Sequence, residues 1–176
     1  MRSHEEAHIY MDLHGCSCGG SDARRDSALR LRDEVWLVEY RCVCEWCGAE
    51  RMFEFRQPET LRQPGAEEWA VGSDPSELLD AGEWLMAADV YAGAPAQPDG
   101  LSPQEVEEAR AELGLAVAAL GEVLKFVPAG AGEVPASALW SGQGIALHES
   151  TPWRFTRESL EREQGVYRTI RAGLTR

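Results

Sequence analysis

The 176-residue chain has a single lysine, Lys125, among 17 basic residues, the others being arginine. That skew reads as codon bias rather than function. The chain has no apolar run near the roughly 18–20 residues needed to cross a bilayer. Its start, MRSHEEAHIYMDLHG, has no apolar segment of the secretory type. A soluble cytoplasmic protein is therefore expected. No repeat of constant period marks a solenoid. The segment GAGEVP has neither the lysine nor the helix of a phosphate-cradling loop. Ser137, Ser141 and Ser150 lie near His148, but no nucleophile-elbow pattern surrounds them.

What remains is ordinary in bulk and uneven in charge. Apolar residues make up 44% of the chain, enough for a real core, and the length suits one domain or a small module joined to a larger one. The formal net charge is −13. Residues 58–150 hold 3 basic and 16 acidic groups, whereas residues 151–176 hold 6 and 3. A middle region this acidic repels nucleic acid and suits either a basic protein partner or plain solvation.

The periodicities predict an α+β protein. Three strands are expected in the first 57 residues: AHIYMDL, with Ile9, Met11 and Leu13 on one face; EVWLVEYR, with Trp36, Val38 and Tyr40; and RMFEF, with Phe53 and Phe55. A three-stranded sheet this small needs a staple or a neighbour. Residues 58–73 read as a linker, and residues 74–176 as an irregular antiparallel bundle of about four helices. The first of these begins with Asp74 as N-cap, Pro75 and Glu77; the second with Ser102, Pro103 and Glu105. Val106, Ala109, Leu113, Val117, Leu120, Leu124 and Val127 form the buried stripe of the second, with Gly114 and Gly121 where another helix would cross. A weaker helix, interrupted by Gly142 and Gly144, follows. The last opens at Thr156, stapled by Phe155 and Leu160, with Leu160, Tyr167, Ile170 and Leu174 facing inward.

Five cysteines, odd in number and clustered, argue for metal rather than disulfides. A metal knuckle is a tight turn in which Gly after the second Cys adopts the left-handed conformation. Cys18-Gly19 and Cys47-Gly48 fit, which selects Cys16-x-Cys18 and Cys44-x-x-Cys47 as the ligand pairs. Residues 8–56 so arranged resemble a zinc ribbon, with a shortened first knuckle and one additional cysteine. That resemblance implies a closed structural zinc site on a three-stranded sheet. Cys42 shares strand parity with Trp36, Val38 and Tyr40 and reads as a core residue; His14 is an alternative to Cys16 as ligand.

HEEAH at residues 4–8 formally matches HExxH, but it runs into a strand-patterned segment rather than a long helix and reads as a chance match. Arg24, Arg25, Arg30 and Arg32 between the knuckles could touch nucleic acid, yet Asp22, Asp26 and Asp33 nearly cancel their field. Trp46, on a turn between two ligands, either caps the helical region or anchors a partner; Arg24 and Arg25 are further candidate contacts. The expectation is a non-enzymatic, zinc-stabilised interaction protein: an acidic adaptor, or an inhibitor of the immunity type, for a basic partner. The alternatives are a ribbon that contacts nucleic acid and a metal-dependent hydrolase using His4, Glu5 and His8.

Overall fold

The first element is a helix, α1 (His4–Leu13), where a strand was expected. Ile9 and Met11 fit an alternating strand, but with Ala7 they also fit one helical face, and so short an apolar run cannot discriminate. The cap decides. Ser3 has extended backbone and its hydroxyl accepts from the Glu6 N–H at 3.0 Å, while the buried Glu6 carboxylate is held by Arg2.

The computed structural model describes residues 1–57, 72–93 and 102–174, and the chain divides into two compact units, Met1–Gln63 and Pro64–Arg176. Most of the expected linker, residues 58–71, lies outside the described residues. The class is α+β: the described residues form one three-stranded antiparallel sheet and five α-helices. No described helix is long and apolar enough to cross a membrane.

The sheet is β1 (Ala23–Arg32), β2 (Val35–Cys44) and β3 (Glu50–Arg56), in that spatial order. Its first strand is thus the arginine-rich stretch between the knuckles. Registers Leu31↔Trp36, Leu29↔Val38, Arg25↔Cys42, Val38↔Phe55 and Tyr40↔Phe53 put these residues on one face. Helix α1 covers part of that face. Cys42 is fully buried and its S–H donates to Met11 Sδ at 3.6 Å; Tyr10 stands edge-on to Phe53 and Phe55. The opposite face is charged and paired within itself: Arg30 with Glu39, Arg32 with Glu39 and Glu54, Arg41 with Glu50.

The β1–β2 turn consists of Asp33 and Glu34, both left-handed at φ 49° and 64°. Such two-residue turns favour Asn-Gly because glycine adopts this backbone without a Cβ penalty. Glu34→Gly relieves a left-handed cost of roughly 1–2 kcal/mol against an unfolded-state entropy loss of about 0.4–1 kcal/mol. It should therefore stabilise the N-terminal unit by about 0.5–1 kcal/mol, read as a rise in its urea midpoint at constant slope.

In the second unit, α2 (Ala81–Ala92) begins six residues later than Asp74 as N-cap would have it. Ser76 Oγ accepts from the Leu78 and Leu79 N–H groups. That local bonding offers the backbone an alternative to helix. The N-cap is Asp80, in a capping box with Glu83. Helix α3 (Pro103–Lys125) starts as expected, with Ser102 and Glu105 capping reciprocally. Val106, Ala109, Leu113, Leu120 and Val127 are buried, while Val117 and Leu124 are half-buried. After a 3₁₀ turn at Ala136–Ala138 come α4 (Gly142–Ser150), a 3₁₀ turn at Pro152–Phe155, and α5 (Arg157–Gly173), capped by Thr156.

The helix crossing over Gly114 and Gly121 is α5. A methyl group on either glycine would meet Arg171 or Gln164 at ordinary contact distance. Gly142 and Gly144 do not interrupt α4. Gly142 is its first residue, and Gly144 packs so closely on Gly82 of α2 that a Cβ on either would overlap its neighbour. Phe155, Leu160 and Leu174 are buried, and Tyr167 packs with Val106, Ala109, Leu113 and Leu174. Ile170, expected to face inward, is 37% exposed, and Gln164 is buried in the α3–α5 contact instead, donating to Val117 O at 2.9 Å.

Candidate metal centre

Four sulfurs converge at one end of the sheet. The two pairs come from opposite sides: Cys16 and Cys18 from the turn after α1, Cys44 from the last position of β2, and Cys47 from the turn into β3. Cys16 Sγ lies 3.5 Å from Cys47 Sγ, Cys18 Sγ lies 3.6 Å from Cys44 Sγ, and all four sulfurs lie within 4.8 Å of one another. A tetrahedral site with metal–sulfur bonds of about 2.3 Å has sulfur–sulfur edges of about 3.8 Å. The donor set fits such an ion.

The turns are built by the two glycines singled out in the sequence. Gly19 (φ 84°) donates its N–H to Cys16 O, and Gly48 (φ 71°) to Cys44 O, each at 2.9 Å. Gly20 donates to Cys18 Sγ at 3.4 Å. A methyl on Gly20 would sit 3.0 Å from Trp46 Cγ and 3.2 Å from Cys44 Sγ, so a side chain there would force Trp46 or the sulfur to shift. The Cys44 N–H reaches Ala49 O and the Glu45 N–H reaches Asp22 O, both at 2.9 Å, tying the second turn to the sheet and to the start of β1.

The electrostatics suit a dication. Backbone N–H groups of Cys47 and Trp46 bring the Cys44 thiol down to about 6, and the Cys18 N–H lowers Cys16. Cys18 goes the other way: the Gly20 N–H would lower it, but the sulfurs of Cys47, Cys16 and Cys44 outweigh that donor and push it up to about 12. Four thiolates this close repel one another, and a divalent cation among them removes the repulsion.

The neighbouring candidates fall outside the cluster. Cys42 faces Met11. His14 Nδ1 pairs with Tyr10 O at 2.9 Å, and its ring stacks on Tyr10. Contrary to the strand expectation, HEEAH does lie on a helix, α1. His4 Nδ1 contacts the Tyr40 hydroxyl at 2.7 Å, His8 stands edge-on to the same ring, and burial followed by the Arg25 charge lowers its pKa. Among the described residues, the only group of three or more metal-ligating side chains within reach of one ion is the cysteine set. Of the candidate contact residues, Arg25 pairs with Asp12, Arg24 is exposed, and Trp46 is 72% exposed. In the second unit, His148 stands edge-on to Phe155.

The clustered cysteines and the small antiparallel sheet fit a zinc-ribbon-like segment, with a third departure beside the short first knuckle and the additional cysteine: the first knuckle follows a helix rather than a strand. Comparison of the chain with protein-family models, curated proteins and solved structures finds no match.

Sequence reasoning missed α1, although Ser3 and Glu6 carry the same S-x-x-E signature that was read correctly at Ser102 and Glu105. It also missed an apolar extension of the sheet's inner face. Leu29, Leu31 and Trp36 share that face with Val38 and Tyr40 yet are 52%, 58% and 50% exposed.

Proposed function

We propose that the N-terminal unit is a protein-interaction module held together by a structural zinc ion on Cys16, Cys18, Cys44 and Cys47. Four thiolates close a tetrahedral site, which leaves no position for substrate. This supports reading the metal as stabilising rather than catalytic, and the unit as non-enzymatic. Zinc is favoured over other ions by an all-sulfur, four-membered set.

The observation that carries the interaction reading is the exposed end of the sheet's inner face. Leu29, Leu31 and Trp36 lie side by side on two paired strands. Aromatic and aliphatic clusters of this kind are typical anchors for a partner. The turn that adjoins them, Asp33 and Glu34, is acidic. The partner should present apolar side chains flanked by Lys or Arg, in keeping with a chain of net charge −13. Trp46, also exposed, lies at the opposite end of the sheet, beside the cysteines, and would be a separate contact. Direct nucleic-acid binding is disfavoured because Arg25, Arg30, Arg32 and Arg41 are each paired with a carboxylate.

The test is affinity capture with the full metal-loaded chain, beside a Leu31→Ser/Trp36→Ser variant and over a salt series. The expected outcome is a basic protein retained by the wild type, released by salt and lost with the variant. Capture of nucleic acid, or of proteins indifferent to both changes, would overturn the reading.

A further inference from the structure

We propose that the outer edge of β1 pairs with the same edge of a second copy of this chain, extending the sheet antiparallel across a two-fold axis. β1 is the longer edge of the sheet, with 10 residues against 7 in β3. On the β3 side the Met1 ammonium donates to Arg56 O at 3.3 Å.

Which backbone groups of β1 point outward follows from its register. Glu45 N donates to Asp22 O, one pair beyond Ala23↔Cys44. In an antiparallel ladder, bonded and non-bonded pairs alternate. The even-numbered residues of β1 therefore bond β2. Arg25, Ser27, Leu29 and Leu31 turn their backbone N–H and C=O groups away from it, and no described residue bonds to those groups. Open edge groups of this kind are a template for a further strand.

Charge commonly guards such an edge. In β1, one register turns that guard into an attraction. A two-fold pairing centred on Leu29 sets Leu29 against Leu29, Ala28 against Arg30, Ser27 against Leu31 and Asp26 against Arg32 of the second copy. Beyond the strand, Arg25 and Arg24 come opposite Asp33 and Glu34 of its turn. Every facing pair of charges is then of opposite sign, and the axis repeats each one. Moving the centre by one residue destroys this. Centred on Ala28, Arg24 faces Arg32; centred on Arg30, that residue faces itself and Asp26 faces Glu34. Like charges directly opposite one another are destabilising.

The register centred on Leu29 also satisfies the open edge. One Leu29 pair and two Ser27–Leu31 pairs form about six hydrogen bonds. Leu29, Leu31 and Trp36 of both copies come onto one continuous face. The pairing runs through backbone and leaves that face open, so it is independent of what the face binds.

The experiment is sedimentation equilibrium of the full metal-loaded chain over a concentration series, with variants at Ala28. That residue faces Glu39 of its own β2 and, in the dimer, Arg30 of the second copy. Ala28→Glu should tighten the dimer and Ala28→Arg weaken it, each by about tenfold, since the axis doubles every pair. Within one copy the order reverses, because Glu39 repels the side chain of Ala28→Glu and attracts that of Ala28→Arg. Misfolding would thus fall on the wrong variant. Dissociation of the wild type in the range of about 1 µM to 1 mM is expected for so small an interface. In a half-labelled sample, NMR should place Ala28 Hα beside Arg30 Hα of the other copy, as a non-bonded antiparallel pair requires. A chain that stays monomeric to about 1 mM would overturn the proposal. So would a dimer that neither variant changes or that responds in the opposite order, or one that sets Ala28 Hα against Ala28 Hα.

Discussion

Removing the metal with a chelator should unfold Met1–Gln63 and leave Pro64–Arg176 folded. The N-terminal sheet has three strands and one short helix over part of one face, with Val38, Tyr40, Cys42, Phe55, Ile9 and Met11 as its principal apolar core. So few buried side chains stabilise a unit of this size only marginally. Metal binding to four thiolates can contribute on the order of 10 kcal/mol to folding, comparable with the whole net stability of an ordinary domain. Its loss also leaves four crowded sulfurs with no cation between them. The second unit has its own core around Trp84, Leu85, Leu120, Val123, Phe155 and Leu160, all fully or almost fully buried. NMR dispersion of Tyr40 and Phe55 should collapse on chelation while that of Trp84 and Leu120 persists. Retained dispersion throughout would mean that the sheet holds itself.

Asp80→Ala should cost the second unit about 3–5 kcal/mol, the penalty expected when several buried N–H groups lose their acceptor. Asp80 is fully buried and accepts three backbone N–H bonds. Its Oδ1 caps α2 through Glu83 N at 2.8 Å, and its Oδ2 takes Trp140 N at 2.9 Å and Ser141 N at 2.6 Å just before α4. One carboxylate thus ties the starts of two helices together. The space for it is cleared by Gly144, whose Cβ would overlap the carboxylate itself, and by Gly82 against Gly144. Gly144→Ala should therefore be destabilising too, by roughly 1–3 kcal/mol from overpacking. Because both changes strike the same contact, the double variant should lose less than the sum of the singles. Urea unfolding followed by far-UV circular dichroism measures all three, and metal content should not change. Full additivity would mean that the two residues act separately.

The clustering of Cys16, Cys18, Cys44 and Cys47 was legible because a knuckle is a local object: Cys–Gly pairs and short spacings encode the turn, and the structure places all four sulfurs together. Helix α3 was legible for the same reason, its cap being written in four consecutive residues, Ser102 to Glu105. The N-terminal helix was not, since Ile9 and Met11 satisfy two periodicities at once and only the Ser3–Glu6 cap separates them. Strand β1 was hidden by its own charges. ARRDSALRLR alternates Arg25, Ser27, Leu29 and Leu31 against Arg24, Asp26, Ala28, Arg30 and Arg32, and on this edge strand neither set is strongly apolar. Asp80 displaced Asp74 as the cap of α2 although both are followed three residues on by Glu, at Glu83 and Glu77, so the local signature fits either. The bonds of Asp80 to Trp140 and Ser141 favour the later one, and no local pattern encodes those.

The central claim is a single structural metal held by four of the five cysteines, and metal content per chain tests it most directly. Protein purified under reducing conditions and without an affinity tag would be analysed for zinc beside Cys44→Ser and Cys42→Ser variants. About one zinc per chain, the stoichiometry of a closed four-thiolate site, lost with Cys44→Ser and kept with Cys42→Ser, is the expected result. A chain that carries no metal while all five thiols titrate as free, or one that loses its metal with Cys42→Ser instead, would contradict the account.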